Sequence, residues 1–244
     1  MYKLAIIGCG ATGVAFIYNF IQKYIQTSRK PLAITIFEKS EHLGVGVPYN
    51  DDVLSVRLNQ TIDHVSISIG DPLHFQKWLK EQKIYPFFSD EQYIPRAIYG
   101  KYLQWSLQQT MSQVMEQIKF HTILEEVIDI HLNFEDNLIV ETFNNSYQFD
   151  MVLLCTGHIF RKDPYHLLKY PHYIERPYPL IKKLPLIQKD QSVAILGSSL
   201  TAVDIAISLQ EANHIGPIHM ISRHGQLPFV QPKKKKSYSH YYKA

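Results

Sequence analysis

Two glycine-bearing stretches have the residue types and spacing to hold phosphate. Gly8-Cys9-Gly10-Ala11-Thr12-Gly13 is G-x-G-x-x-G directly after an apolar run, and Gly197-Ser198-Ser199-Leu200-Thr201-Ala202 is G-x-S-x-x-A after another. In the first, Gly8 suits a tight turn, Gly10 lets the backbone approach a pyrophosphate, and Gly13 lets the following helix pack closely on the strand. That helix starts with unpaired N–H groups and the positive end of its dipole facing the phosphates. In the second, Ser199 replaces the usual second glycine. Its side chain holds a pyrophosphate farther off, although its hydroxyl can donate to a phosphate oxygen.

The residues that close each motif's second strand differ in charge. Glu38 lies 28 residues after Gly10, where a carboxylate accepts hydrogen bonds from an adenosine ribose and repels a 2′-phosphate. The spacing exceeds the usual ~20, with residues 22–30 as the extra length. After Ile218–Ile221 come Ser222, Arg223 and His224, and a guanidinium there can pair with a 2′-phosphate, so the second motif favours NADP. A glycine turn without a ligand is the competing account of either motif. Asp204, placed in the first turn of the second helix, is accounted for by the helix dipole alone.

The elements that must position these residues follow from the hydrophobic pattern. Residues 3–8 read as a buried parallel strand, Val14, Ile17, Ile21 and Tyr24 mark one helix face, and Leu32–Phe37 reads as the next strand. Asp71 as N-cap with Pro72 at the first helical position opens a helix to about Lys83. Residues 97–118 read as the longest helix and 120–123 as a return to the sheet. The alternating runs 127–132, 137–143 and 147–150 read as an antiparallel meander, and 151–155 as an apolar strand ending in Thr156-Gly157. The spread of prolines over 161–190 implies a surface crossover. Residues 192–223 then repeat the β-α-β of residues 3–38.

Composition bounds the class. At 45% hydrophobic and 19% charged residues over 244 positions, the chain is globular, with length for one large domain or two small ones. The net charge is +3, and the lysine run 233–236 reads as a solvated tail, so neither nucleic acid nor membrane is an expected partner. Cys9 and Cys155 sit inside apolar runs, which fits buried thiols in a reducing compartment. The apolar start carries a single lysine and is broken by glycines, which favours a cytoplasmic chain over a signal peptide. No C-x-x-C, H-E-x-x-H or G-x-S-x-G is present, so a redox disulfide, a zinc site of that kind and a serine-hydrolase elbow have no support. His158 reads as a packing or hydrogen-bonding residue.

The stretches FEKSEHLGVGVPY, VRLNQ, YIPRAIYGKYLQW, VLLCTGH and VAILGSSLTAVDIAISL, in that order, resemble an uncharacterised bacterial family of FAD/NAD(P)-binding proteins. The match runs from Lys3 to about residue 230. Pro95-Arg96 with Tyr102-Leu103-Gln104-Trp105 is similar, more distantly, to flavin-dependent N-hydroxylating monooxygenases. The resemblance implies that the first motif (Gly8, Gly10, Ala11, Thr12, Gly13, with Glu38) binds FAD and the second (Gly197, Ser199, Ala202, with Arg223) binds NADPH. It also implies that Gly44, Gly46, Arg57, Asn59, Arg96 and the Thr156-Gly157 turn belong to the flavin pocket. For the two arginines a surface or salt-bridged role stays open.

The expected architecture is α/β. A Rossmann-like FAD domain spans 1–160, with a parallel sheet, a meander and a helical insertion over about 43–118. A crossover (161–190), a partial NAD(P)-binding unit (191–232) and a basic tail (233–244) follow. The resemblance implies that NADPH reduces bound FAD and that electrons pass to oxygen or a small organic acceptor, with hydroxylation one outcome. Two alternatives stay open: a non-catalytic or truncated FAD-binding protein, and a flavin-free NAD-dependent dehydrogenase. Residues 192–223 supply only β-α-β of the β-α-β-α-β in a complete nucleotide-binding half. Either the chain stops short, or a partner or second copy covers the unit.

Overall fold

The computed structural model describes residues 1–27, 30–83, 93–157, 163 and 165–229. His158, the lysine run and the rest of the basic tail lie outside the described residues. The chain divides into two compact units, Met1–Lys183 and the part from Leu184 onward, with the division inside the proline-bearing stretch.

The first unit opens with β1 (Tyr2–Ile7), α1 (Ala11–Thr27) and β2 (Leu32–Phe37). The helices α2 (His74–Gln82) and α3 (Arg96–Ser112) precede β3 (Ile118–Ile123). A meander of β4 (Val127–Leu132), β5 (Leu138–Thr142) and β6 (Ser146–Phe149) then leads into β7 (Met151–Leu154) and, later, the short α4 (Leu180–Lys183). Among the described residues these form a four-stranded parallel sheet of order β3-β2-β1-β7 and an antiparallel β4-β5-β6 sheet.

Because successive side chains of a strand point to opposite faces, the apolar central strands need cover on both sides. Leu4, Ile6, Leu32, Ile34 and Ile36 pack with Val14, Ile17 and Ile21 of α1 and with α2 and α3. Ala5, Ile7 and Phe37 point the other way and meet Val140 and Phe149 of the meander. The rings of Tyr147 and Phe149 stand edge-on to Phe37, with centroids 5.4 and 5.8 Å away.

Two boundaries differ from expectation. The helix after Asp71-Pro72 begins at His74, because Asp71 first closes a turn: its Oδ1 accepts from Leu73 N (3.2 Å) and its carbonyl from His74 N (3.1 Å). The long helix stops at Ser112, since Ile118 is already paired with Leu32 in β3 and the turn between them carries the chain back to the sheet.

Between α2 and α3 lies an aromatic cluster in which Phe75 is 4.8 Å from Tyr102 and 5.0 Å from Tyr99, centroid to centroid. The Tyr102 hydroxyl, held protonated by a burial-raised pKa of about 12, lies 2.6 Å from His74 Nδ1. Burial is the largest cause holding the His74 imidazole below its ordinary range, opposed by Asp71 and Glu81 and aided by Lys77. In the neutral tautomer with Nδ1 unprotonated, the ring accepts from Tyr102.

The second unit holds β8 (Val193–Leu196), α5 (Leu200–Glu211) and β9 (Ile218–Ile221), with the two strands parallel and Val193 opposite Ile218. Ile195, Ala202 and Leu209 are buried, whereas Leu196 and Ile221 are about half exposed. Asp204 falls beyond the first turn of α5, which begins at Leu200. The dipole explanation for it is thereby weakened, since that effect fades within one turn.

Tyr102→Phe leaves His74 Nδ1 without its hydroxyl partner and is expected to cost about 1–2 kcal/mol, read from urea unfolding. The His74 contribution should be complete above about pH 6.5 and decline as pH falls below it, because the unfolded imidazole takes a proton that the folded one resists. His74→Phe should flatten that part of the stability profile.

Candidate functional site

At the end of β1 the chain turns at Gly8, which has φ of +91° and donates its N–H to Phe37 O at 2.8 Å. A Cβ on Gly8 would lie 2.4 Å from the carbonyl oxygen of Cys155, and one on Gly13 would lie 2.6 Å from the carbonyl oxygen of Gly8. The turn is thus wedged between β7 and its own helix. The first intrahelical bond runs from Val14 N to Gly10 O (3.0 Å), so the N–H groups of Ala11, Thr12 and Gly13 precede the helix's internal ladder. Thr12 is exposed and Gly13 buried.

Glu38 follows β2, its N–H bonded to Ile123 O at 3.0 Å. Its Oε2 accepts from Cys9 N at 2.8 Å, and its Oε1 from Lys39 N (3.0 Å) and Ser40 N (3.2 Å). The carboxylate and the N-terminal end of α1 therefore share one corner of the sheet. Burial, with Glu38 adding to it, pushes the Cys9 thiol up to about 12. Cys9 is accordingly a protonated packing group. Both cysteines are free and buried.

The loop after Glu38 returns to the same corner. Gly44 N donates to Cys9 O at 2.6 Å, and a Cβ on Gly10 would lie 3.5 Å from Gly46 Cα. Thr156 Cα would lie 3.4 Å from a Cβ on Gly8, which places the Thr156-Gly157 turn beside the same glycine turn, both residues exposed.

A second cluster gathers at the start of α3. Arg57 and Pro95 form an antiparallel bridge, flanked by Leu58 N to Ile94 O (2.9 Å) and Arg96 N to Val56 O (2.9 Å). Arg96 donates from Nε to Arg57 O (2.8 Å) and from a terminal nitrogen to Asn59 Oδ1 (3.1 Å). The Arg57 guanidinium donates to Tyr93 O at 2.7 Å. Arg57, Asn59 and Arg96 are thus one assembly. The same helix carries Gly100, where a Cβ would meet Tyr49 O at 2.0 Å, and Gln104, which lies beside Gly44. Helix α3 therefore links the arginine cluster to the glycine corner.

The sequence reading missed two participants in this unit. Tyr178 lies under the Arg96 guanidinium, 5.4 Å from Cζ to ring centroid, a cation–π contact. Asp52 accepts from Leu180 N (2.9 Å) and Ile181 N (2.8 Å), seating the start of α4. No local signal marks either, since each pairing spans more than 80 residues.

In the second unit Gly197, with φ of +118°, donates to Ile221 O at 2.8 Å. Ser199 is exposed at the N-cap of α5, its side chain uninvolved in capping, and Ala202 is buried. Arg223 is exposed two residues after the end of β9. The sequence also gave no sign of Ser198, whose hydroxyl lies 2.8 Å from Ser222 Oγ and 2.6 Å from Gln226 O. Elsewhere, the meander brings ligand atoms of Asp129, His131 and Glu141 within 4.8 Å of one another on an exposed face, a grouping that the linear spacing does not show.

A parallel sheet of order β3-β2-β1-β7, with a glycine turn after its central strand, an acid after the next and a meander on one face, defines a Rossmann-like dinucleotide-binding domain of the flavoprotein type. The chain belongs to the FAD-NAD(P)-binding family, which matches residues 5–159. It is 25% identical over 232 residues to the uncharacterized protein YdhS of Escherichia coli, covering 88% of this chain and 41% of that protein. It is 26% identical over 242 residues to flavin-containing monooxygenase 1 of Sus scrofa, covering 91% and 40%. The chain thus spans about two-fifths of the length of these relatives. Among solved structures, the reduced form of ornithine hydroxylase PvdA from Pseudomonas aeruginosa shares the fold with a TM-score of 0.61 at 17% identity, over 91% of this chain and 54% of that one. Among the described residues no helix is long and apolar enough to cross a membrane.

The two glycine turns predict different tolerances. Gly8→Ala drives a methyl into the Cys155 carbonyl and is expected to cost about 4 kcal/mol or more. Gly197→Ala, with nothing within 4 Å of the new Cβ, should cost only the backbone strain, about 1–3 kcal/mol. Thermal and urea unfolding of the two variants checks the ordering.

Proposed function

We propose that this chain is the dinucleotide-binding part of an NADPH-dependent flavin oxidoreductase. The observation that carries the proposal is the opposite charge beside two otherwise similar glycine turns: Glu38, bonded to Cys9 N, at the first and exposed Arg223 at the second.

In this proposal Gly8, Gly10 and Gly13 shape a turn against which a pyrophosphate rests, and the N–H groups of Ala11 and Thr12 face it. Glu38 accepts from the ribose hydroxyls of FAD, its spare lone pairs lying beside those already taken by backbone. Gly44, Gly46 and the Thr156-Gly157 turn border the same ligand, and Arg57, Asn59 and Arg96 serve the flavin end. Arg96 is suited to this because its bonds to Arg57 O and Asn59 hold the guanidinium in place. In the second unit Gly197, Ser199 and Ala202 receive the pyrophosphate of NADPH and Arg223 its 2′-phosphate. Flavin held by these residues would supply the redox chemistry, hydride acceptance from reduced nicotinamide and electron transfer to oxygen or a small organic acceptor. Hydroxylation of a small substrate is the form of that reaction for which the likeness to monooxygenases argues.

Glu38 would accept equally from the ribose of NAD, so a flavin-free dehydrogenase is the second reading. Purified full-length chain distinguishes them. Released FAD and anaerobic bleaching of the flavin band by NADPH are expected. Tight NAD with no flavin would establish the dehydrogenase, and flavin that NADPH cannot bleach would leave a binding protein without this activity. Arg223→Ala is expected to weaken NADPH about 10-fold to 100-fold, the scale of a lost charge-assisted pair, and to leave NADH binding unchanged in a fluorescence titration.

A further inference from the structure

We infer that Ser198 is a positioning residue that sets the 2′-phosphate preference of the second nucleotide site, an inference that rests on Arg223 meeting that phosphate. Ser198 occupies the variable position of G-x-S-x-x-A, where the motif itself asks for no particular side chain. Here its side chain is half-buried and joined to the far end of the β-α-β unit, 24 and 28 residues along the chain.

Counting protons fixes the direction of these bonds. The Gln226 carbonyl can only accept, so the single proton of Ser198 goes to it, at 2.6 Å. The Ser222 hydroxyl, 2.8 Å away, then donates to Ser198 and accepts from Gly225 N at 3.1 Å. The result is a relay from Gly225 N–H through Ser222 and Ser198 to the Gln226 carbonyl, in which each hydroxyl donates once and accepts once. Arg223 and His224 lie between its two anchor points, Ser222 and Gln226, in a loop bent at Gly225 with φ of +61°.

This arrangement separates preference from general affinity. The turn and helix start that face the shared part of NADH and NADPH are held by Gly197 N to Ile221 O (2.8 Å), Ala202 N to Ser199 O (2.8 Å) and Val203 N to Ser199 O (3.2 Å). None of these bonds involves the Ser198 hydroxyl. The loop that carries Arg223 is the part tied through it. Without the tie, ordering a long arginine side chain on a looser loop falls on the binding step, and only a ligand that uses Arg223 bears that cost.

The test compares 2′-phospho-ADP-ribose with ADP-ribose by isothermal titration calorimetry on full chain saturated with FAD. Wild type is expected to prefer the phosphorylated ligand at least about 10-fold, and Arg223→Ala to abolish the preference. Ser198→Ala should weaken the phosphorylated ligand about five- to tenfold while changing ADP-ribose less than about twofold. Ser222→Ala, which breaks the same tie from the other side, should do likewise, and the double variant should lose no more than the larger single loss. Ser198→Ala with an undiminished preference, alongside Arg223→Ala without one, would overturn the role of Ser198 and leave the NADPH assignment standing. An equal loss for both ligands marks a merely structural serine and also overturns it. A wild type with no preference overturns the NADPH assignment itself.

Discussion

The close approach of the Cys155 carbonyl to Gly8 is the constraint on which the first unit depends. The space where any side chain at position 8 would begin is occupied by backbone of the strand next door. Only with that position bare can β7 pair with β1 up to Ile7 and Leu154 while α1 starts directly above the turn. The same corner then collects the Glu38 carboxylate on Cys9 N and Gly44 N on Cys9 O. A helix N-terminus, an acid and a covering loop are brought together because three strands and a helix converge on one residue without a side chain.

The second turn shows what the motif does without that confinement. Gly197 bonds to Ile221 much as Gly8 bonds to Phe37, yet a Cβ there meets nothing within 4 Å. Among the described residues β8 pairs with β9, and no strand flanks its other edge as β7 flanks β1. Here side-chain hydroxyls tie the loop after β9 to the turn after β8, through Ser198 and Ser222. Backbone crowding fixes the first turn, whereas the loop beside the second is fixed by hydroxyl bridging, which single substitutions can tune.

Covering both faces of the central sheet with different layers also has a functional side. Helix α3 packs on one face through Tyr102, Leu103 and Leu107. At the same time it presents Arg96 at its start and receives the loop of Gly44 to Tyr49 along its side. One buried helix thereby fixes two clusters of the candidate site relative to each other. The meander covers the opposite face through Val140 and Phe149.

Much of this was legible in the sequence, for physical reasons that act locally. Apolar runs bounded by turn residues located β1, β2 and β7, since a strand covered on both faces must be apolar throughout. Alternation located the meander, and the glycine spacing located both glycine turns, with Glu38 and Arg223 following their second strands. Helix limits were less legible: Asp71 spends its carbonyl and carboxylate on a turn before His74, and α3 yields to strand pairing at Ile118. Only the tertiary structure joined Arg57 and Asn59 to Arg96, Tyr178 to Arg96, Asp52 to α4 and Ser198 to Ser222. Each of these is a contact between residues far apart in the chain, made by polar groups whose types are common everywhere. A pattern of residue types records which segments must be buried or bent, while the pairing of two distant hydroxyls or of an arginine with a ring is decided by where folding leaves them.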